Sequence, residues 1–162
     1  MIVTNSSPII VLGKQGRLQF LEKCFRRVII PKAVYDEVLC KKESPEGIAL
    51  EKAVKDKWVS VEAVEVSSLL RTGKLGLGEK EAISLAEKHK ALLLIDDDSA
   101  KSYASMLGVE AHGTLFVVYL AYARGFISKE EANGVLDTAV MNGFYVSTEV
   151  YSKFVNLLNS IK

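Results

Sequence analysis

The sequence is poor in the residues that identify zinc-finger, disulfide-rich and proline-rich proteins. Its 162 residues include two cysteines, two histidines and three prolines. Two cysteines and two isolated histidines, His89 and His112, do not form a zinc-ligand set. Cys24 and Cys40 lie in predicted helices, and no secretory signal pattern precedes them. We therefore predict two reduced cysteines and a location in the cytoplasm.

A long apolar run and a strong charge bias are also absent. The longest apolar stretch, residues 115–123, has nine residues, about half of the roughly 18 that indicate a membrane span. Lysine and arginine number 21 and aspartate and glutamate 20, so the net charge is +1. This composition predicts no membrane segment, and only a local cluster of cations could indicate nucleic-acid binding. One such cluster lies between Lys14 and Lys32, where six cations accompany one acid, Glu22.

Five short β-rich runs alternate with helical patterns along the chain. The predicted strands cover residues 2–4, 28–30, 58–64, 91–95 and 110–112. The fourth run, ALLLI, is apolar at every position, as expected of a strand that is buried on both faces. The alternation predicts an α/β fold, in which helices cover both faces of a parallel sheet.

Helical patterns fill the segments between and after these runs. They are predicted at residues 9–24, with a break near 13–16, and at 31–40, 45–55, 78–90, 98–107 and 114–124. Ser128, with Glu131 three residues later, forms a capping-box pattern for a helix to about Met141. Ser147 is the predicted N-cap of a final helix. Residues 41–47 and 67–78 are the segments predicted to be least ordered.

Polar and acidic side chains lie beside the carboxyl ends of several predicted strands, where open parallel sheets form their sites. The candidates are Asn5 and Ser6 after the first strand, Glu37 after the second, Glu79 and Glu81 in the helix before the fourth, and Asp96, Asp97 and Asp98 after the fourth. Separate parts of the chain are thus expected to bring acids to one edge of the sheet.

Helical periodicity ranks the candidates within two helices. In the helix after the second strand, Glu37 falls at the margin of the apolar stripe, and Asp36 points away from it. In the helix before the fourth strand, Glu79 lies within the buried stripe and Glu81 lies outside it. Periodicity favours Glu37 and Glu79, and it leaves Glu81 open as the near alternative to Glu79.

Each acid also has an ordinary local role. Glu79 in a first helical turn interacts favourably with the helix dipole, by about 0.3 to 1 kcal/mol. Asp97 or Asp98 is a suitable N-cap for the helix that follows. Two carboxylates about 4 Å apart repel by about 4 kcal/mol at an effective dielectric constant of 20, so a cluster of them needs a cation. Oxygen ligands without a zinc-type set favour Mg²⁺ or Mn²⁺.

Five segments, in order along the chain, resemble motifs of the PIN-domain family. They are TNSSPII at residues 4–10, IPKAVYDEVL at 30–39, GEKEAISLA at 78–86, LLLIDDDSAKSYA at 92–104 and HGTL at 112–115. The resemblance is strongest to the prokaryotic VapC-like branch of the DUF3368 type. It implies a three-layer α/β/α domain over residues 1–127, with a parallel sheet of about five strands. It also implies a helical C-terminal extension over residues 128–162 that packs on the same domain.

The resemblance further implies a ribonuclease that hydrolyses phosphodiester bonds with Mg²⁺ or Mn²⁺ held in an acidic pocket. The family's metal and catalytic residues fall on Glu37, on Glu79 or Glu81, and on Asp97 or Asp96. The hydroxyl group that follows the first acid of the family falls on Ser6. If the protein is active, Asp96 or Asp98 is expected to position the attacking water.

Asn5 departs from the family pattern, since it stands where the family has its first acid. Asparagine keeps one neutral carbonyl oxygen as a ligand and removes one negative charge. Mg²⁺ retains several waters and commonly uses one or two carboxylates, so Asn5, Glu37, Glu79 and Asp97 could still hold one ion. We therefore expect a weakened nuclease or, as the alternative, an inactive PIN-like module that binds RNA or a protein.

Cations near the acids are candidate contacts to an RNA backbone, because an acidic pocket alone repels phosphate. Arg71, Lys74 and Lys101 lie close to the acids in sequence, and Ser6 is a further candidate phosphate contact. The resemblance also implies a homodimer and a small antitoxin partner that covers the cleft.

Overall fold

The computed structural model describes residues 1–161 and contains a parallel sheet with strand order β3-β2-β1-β4-β5. The strands are β1 Ile2–Thr4, β2 Val28–Pro31, β3 Val59–Glu62, β4 Leu92–Leu94 and β5 Ala111–His112. All four neighbouring pairs are parallel. The predicted α/β class is confirmed, and each predicted strand is present, although β3 is shorter than the predicted residues 58–64.

Helices connect the strands and follow the last one. They are α1 Ser6–Lys14, α2 Gln19–Phe25, α3 Lys32–Leu39, α4 Pro45–Lys55, α5 Leu77–His89, α6 Asp98–Met106, α7 Thr114–Ala123, α8 Lys129–Met141 and α9 Thr148–Ser160, with a short 3-10 turn at Ser68–Leu70. The helix α1 begins three residues before the predicted residue 9, because Pro8 is tolerated in a first helical turn. Ser128 and Ser147 cap α8 and α9 as predicted.

The described residues form two compact units, residues 1–114 and residues 115–161. The first unit contains the whole sheet and the helices α1 to α6. The second unit contains α8, α9 and nearly all of α7. The predicted boundary between residues 127 and 128 stays a prediction. No helix among residues 1–161 has both the length and the apolar character that a membrane crossing needs.

The sheet is buried on both faces in the first unit. Val3, Ile29 and Leu93 form one apolar cluster with the inward faces of α5 and α6. Neighbouring strand residues such as Val28 and Leu94 face the other way and are also buried. Their side chains alternate between the two faces, which explains why these strands are apolar at nearly every position. The carboxyl ends of β1 and β2 are therefore positioned by a well-packed core.

The helices α1 and α4 pack in close contact at Gly13. A Cβ atom at this position would lie 2.8 Å from both Cα and Cβ of Glu46. We expect Gly13→Ala to lower the free energy of unfolding by about 1–3 kcal/mol, because a backbone atom cannot give way without moving a helix. Gly134 in α8 is the matched control, since nothing lies within 4 Å of its Cβ position. Gly134→Ala should stabilise by about 0.5–1 kcal/mol, and urea unfolding measures both effects.

Glu62 ties the edge strand β3 to the end of α5. Its carboxylate accepts a hydrogen bond from Lys88 Nζ at 2.6 Å and shares one with His89 Nε2 at 2.9 Å. The hydrogen bond from Lys88 is the main reason that the pKa of Glu62 is lowered, and the bond to His89 adds to it.

Glu62→Gln should therefore destabilise the protein in a pH-dependent way. A carboxylate with a lowered pKa in the folded state stabilises above its unfolded pKa, about 4.3, and loses this effect as the pH falls through the folded value. The melting temperature of Glu62→Gln should lie below that of the wild type at pH 7, and the difference should narrow below about pH 4. Glu87→Gln, which changes an exposed acid on the same helix, is the control. A difference that stays constant with pH would show that Glu62 is not held as a carboxylate.

Candidate active-site cleft

A cleft of about 800 Å³ opens at the carboxyl ends of β1 and β2. Three segments line it: the start of α1, one face of α3, and the start of α5. The lining residues are Asn5, Ser6, Ser7, Ala33, Asp36, Glu37, Gly76, Leu77, Gly78 and Glu79. The cleft thus brings together Asn5, Ser6, Glu37 and Glu79, four of the residues predicted from the sequence.

Asn5 connects β1 to α1 at the base of the cleft. Its backbone N–H donates to the carbonyl oxygen of Leu94 at 3.0 Å, which fixes it beside β4. Asn5 is the N-cap residue of α1, but its side chain makes no capping hydrogen bond. It is only 5% exposed, and its Oδ1 atom has no hydrogen-bond partner among the described residues. A buried amide oxygen without a partner costs about 1–3 kcal/mol, so the side chain of Asn5 is energetically unfavourable in this structure.

Glu37 reaches the start of α5 across the cleft. Its Oε2 atom lies 3.0 Å from the position that a Cβ atom would take at Gly78. Any larger residue at position 78 would therefore compete with this carboxylate for space. The side chain of Glu37 is exposed and lines the cleft wall.

Glu79 and Glu81 occupy different positions although they are two residues apart. Glu79 is half-buried and lines the cleft, and its Oε2 atom accepts a hydrogen bond from Gly76 N at 3.0 Å. Glu81 lies outside the cleft lining and accepts from Ala33 N at 3.0 Å, which caps the first turn of α3. Periodicity predicts Glu79 in the buried stripe and Glu81 outside it; both are half-buried, and of the two only Glu79 lines the cleft.

Asp96 holds two helix starts together. Its Oδ2 atom accepts hydrogen bonds from Ser7 Oγ and from Thr114 Oγ1, both at 2.7 Å. Its Oδ1 atom accepts from Thr114 N at 2.7 Å and lies 2.8 Å from the Cβ position of Gly113. The Gly-Thr pair of the HGTL segment is therefore explained: glycine leaves room for the carboxylate, and threonine supplies two donors.

The next two acids have simpler surroundings. Asp97 is the N-cap of α6, and its Oδ1 atom accepts from Ala100 N at 2.7 Å. Asp98 is exposed and lies 3.4 Å from Lys101 Nζ. Both lie outside the cleft lining, whereas Asp96 is connected to it through Ser7.

The three predicted phosphate-contacting cations also lie outside the cleft lining. Arg71 is exposed and paired with Glu65 at 2.8 Å, and Lys101 is half-buried beside Asp98. Lys74 is exposed on the segment that leads to α5. Of the three, Lys74 is the one that forms no ion pair within the described residues.

The sequence does not show the contacts of three residues in this region. Ser7 and Thr114 fall within the TNSSPII and HGTL motifs, but their bonds to Asp96 cannot be predicted, because a hydroxyl that binds an acid 89 or 18 residues away leaves no periodic signal. Asp36 was expected to point away from the site. It does form an exposed pair with Lys32, yet it also lines the cleft rim. Within residues 1–161, no group of three or more acids, histidines or cysteines is arranged so that it could hold a metal ion.

The family of this chain follows from comparison with known proteins. A family model described as DUF3368, a PIN domain, matches residues 1–160. The chain belongs to this PIN-domain family. PIN domains are in general nucleases that use divalent metal ions. A solved structure of a PilT N-terminus domain protein from Sulfolobus solfataricus is 21% identical, with a TM-score of 0.47 and coverage of 72% of this chain and 88% of that chain. Comparison with curated proteins gives no match.

Proposed function

We propose that this PIN domain is a metal-dependent ribonuclease that hydrolyses phosphodiester bonds in the cleft between α1, α3 and α5. The observation that carries the proposal concerns Asn5, which lines the same cleft as Glu37 and Glu79 and whose buried Oδ1 atom lacks a partner among the described residues. A bound cation would remove the cost of this unpaired oxygen. The carboxylates on the cleft wall supply the opposite charge that a cation needs.

The donor set fits one hard divalent ion, Mg²⁺ or Mn²⁺. Asn5, Glu37 and Glu79 offer oxygen atoms only, and Mg²⁺ commonly takes one or two carboxylates and completes its shell with water. Asp97 has one carboxylate oxygen on the α6 cap, so we propose that it acts through water. When bound, such an ion lowers the pKa of a water molecule and balances charge on the phosphoryl group.

The residues at the start of α1 are proposed to hold the scissile phosphate. The Asn5 side chain leaves the first turn of α1 without a side-chain cap. The backbone N–H groups of a helix N-terminus attract anions, and Ser6 and Ser7 lie in the cleft lining there. Asp96 acts as a positioning residue, since it fixes the Ser7 hydroxyl. Lys74 is the proposed contact to the flanking RNA backbone, with Arg71 and Lys101 as weaker candidates.

A cleavage assay with matched variants tests the proposal. Fluorescent single-stranded RNA should be cut with Mn²⁺ and remain intact with EDTA. Mn²⁺ should raise the melting temperature of the wild type, and this shift should be lost in the double variant Glu37→Gln, Glu79→Gln. The control, Glu43→Gln with Glu51→Gln, removes the same charge at exposed positions outside the cleft lining. Equal Mn²⁺ shifts in the two double variants would reject the metal site.

The second candidate function is a non-catalytic PIN module that binds RNA or a protein. Two observations favour it: asparagine stands at position 5, and no triad of acids gathers in residues 1–161. RNA binding in EDTA without cleavage in Mn²⁺ or Mg²⁺ would support this function and exclude the first.

We further propose that the protein is the toxin of a VapBC-like pair, as a homodimer bound by a small antitoxin. The support is the VapC-like sequence motifs, together with exposed apolar side chains on α8 and α9. These side chains are Val140, Met141, Val150, Tyr151 and Leu157. Light scattering of the purified protein tests the dimer, and a monomer at all concentrations would reject it.

A further inference from the structure

Three basic residues share an unusual feature of the backbone, a positive φ angle. Arg26, Lys57 and Lys90 have φ angles of 64°, 66° and 49°, and they are the only non-glycine residues with positive φ within residues 1–161. Each follows a helix: Arg26 ends α2, Lys57 follows α4 after Asp56, and Lys90 ends α5. Glycine is the usual residue at such positions, because it adopts positive φ without steric cost.

The same three residues occupy one level of the sheet. Val28 of β2 is in register with Val59 of β3, and Ile2 of β1 is in register with both Val28 and Leu92 of β4. Each basic residue lies two positions before one of these paired strand residues: Arg26 before Val28, Lys57 before Val59 and Lys90 before Leu92. They therefore form a row along the amino-terminal edge of the sheet, opposite the cleft. Adjacent strands are about 4.8 Å apart, so the row spans three strand spacings.

The charges of this basic row are available to a ligand. All three residues are exposed, and in the part of the chain that the structure describes none of them takes part in an ion pair. Asp56, the acid next to Lys57, is already paired with Lys52. Arg27 is also exposed and adds a fourth cation beside the row.

The helix dipole alone does not explain this arrangement. A cation is favoured at a helix C-terminus, but at an exposed position this gain is smaller than the cost of a left-handed conformation in a residue with a Cβ atom. A lysine one turn earlier would gain from the same dipole without that cost. We infer that the positive charges at the amino-terminal edge of the sheet have a role other than helix capping.

We propose that the basic row binds the sugar-phosphate backbone of single-stranded RNA outside the cleft. The choice of RNA rests on the proposed function, since the acidic cleft at the opposite edge cannot attract the strand by charge. A backbone that carries one charge per nucleotide can contact cations at unequal spacings along an edge, as here, where β1 contributes no member to the row. An acidic protein would need a particular sequence to match the row.

Binding in the absence of cleavage tests the row. The probe is a fluorescein-labelled 20-nucleotide oligouridine RNA, and its anisotropy is measured in EDTA at several salt concentrations. The triple variant Arg26→Gly, Lys57→Gly, Lys90→Gly should bind at least about tenfold more weakly at low salt. The slope of log K against log salt should fall by about 2, since each phosphate contact on a single strand contributes about 0.7. Its melting temperature should be equal or higher, because glycine adopts positive φ freely.

Two control variants test whether the effect comes from these three charges. One changes the side chains and keeps the charges, and the other removes three charges elsewhere. Arg26→Lys with Lys57→Arg and Lys90→Arg should keep the wild-type slope. Lys41→Gln with Lys42→Gln and Lys153→Gln removes the same charge from other exposed positions and should change the slope less.

Four results would overturn the proposal: no RNA binding by the wild type, an unchanged slope in the glycine variant, an equal loss in the control triple, or equal competition by polyglutamate. The last result would identify an acidic protein as the partner. Because these measurements are made in EDTA, a protein that cleaves RNA but shows an unchanged slope contradicts the row and leaves the proposed nuclease standing.

Discussion

Asn5→Asp should bind Mn²⁺ at least about tenfold more tightly than the wild type, a gain of about 1.4 kcal/mol. The substitution adds a full negative charge where a buried oxygen already lacks a partner. Two unit charges 4 Å apart attract by about 4 kcal/mol at an effective dielectric constant of 20, so a tenfold gain allows for desolvation. The rate of RNA cleavage should rise with metal affinity, and a Mn²⁺ titration of both properties measures the effect.

The same variant should be less stable than the wild type in EDTA. A carboxylate that is 95% buried beside Glu37 and Glu79 is strongly destabilised without a cation. Asn5→Ala is the control: it removes an unsatisfied oxygen, so it should keep its stability in EDTA and lose the Mn²⁺ shift. An Asn5→Asp protein whose melting temperature and Mn²⁺ affinity both match the wild type would show that residue 5 does not contact the metal.

Alanine substitutions at the three consecutive aspartates should have very unequal effects on stability. Asp96→Ala leaves three donors without acceptors, and Thr114, which supplies two of them, is 1% exposed. We expect a loss of about 3 kcal/mol, which corresponds to about 6–12 °C in melting temperature for a chain of this size.

The neighbouring substitutions calibrate this expectation. Asp97→Ala removes the cap of α6 and should cost about 1 kcal/mol. Asp98→Ala removes an exposed pair with Lys101 and should change stability by less than about 0.5 kcal/mol. Thermal unfolding of the three variants in EDTA shows which of them loses the most stability and which the least. If Asp97→Ala were the most destabilising of the three, the assignment of Asp96 as the acceptor that joins Ser7 to Thr114 would be wrong.

The sequence predicts the sheet well because each strand is a short apolar run between helical patterns. Strand positions are buried on both faces of the sheet, Val3 and Leu93 on one face and Leu94 on the other, so no polar residue interrupts the run. Caps are predicted equally well, since Ser128, Ser147 and Asp97 act on residues only three positions away. A contact between residues that are close in sequence can be recognised from a short sequence motif.

The site is predicted less completely because its decisive contacts join distant residues. Periodicity assigned Glu37 and Glu79 to the side of the site, and both line the cleft. It could not show that Ser7 binds Asp96, which lies 89 residues further along the chain. Nor could it show that the Asn5 oxygen would be buried without a partner, because that depends on how α1 leaves the sheet.

The position of Glu81 affects what the loss of activity in a Glu81 variant of this protein would mean. Its carboxylate belongs to α5 but caps the first turn of α3, the helix that carries Glu37. Replacing Glu81 would loosen α3 and so displace Glu37, although Glu37 itself would still be present. If a Glu81 variant loses both activity and thermal stability, the cause is a displaced α3. Such a result would not show that Glu81 is a metal ligand.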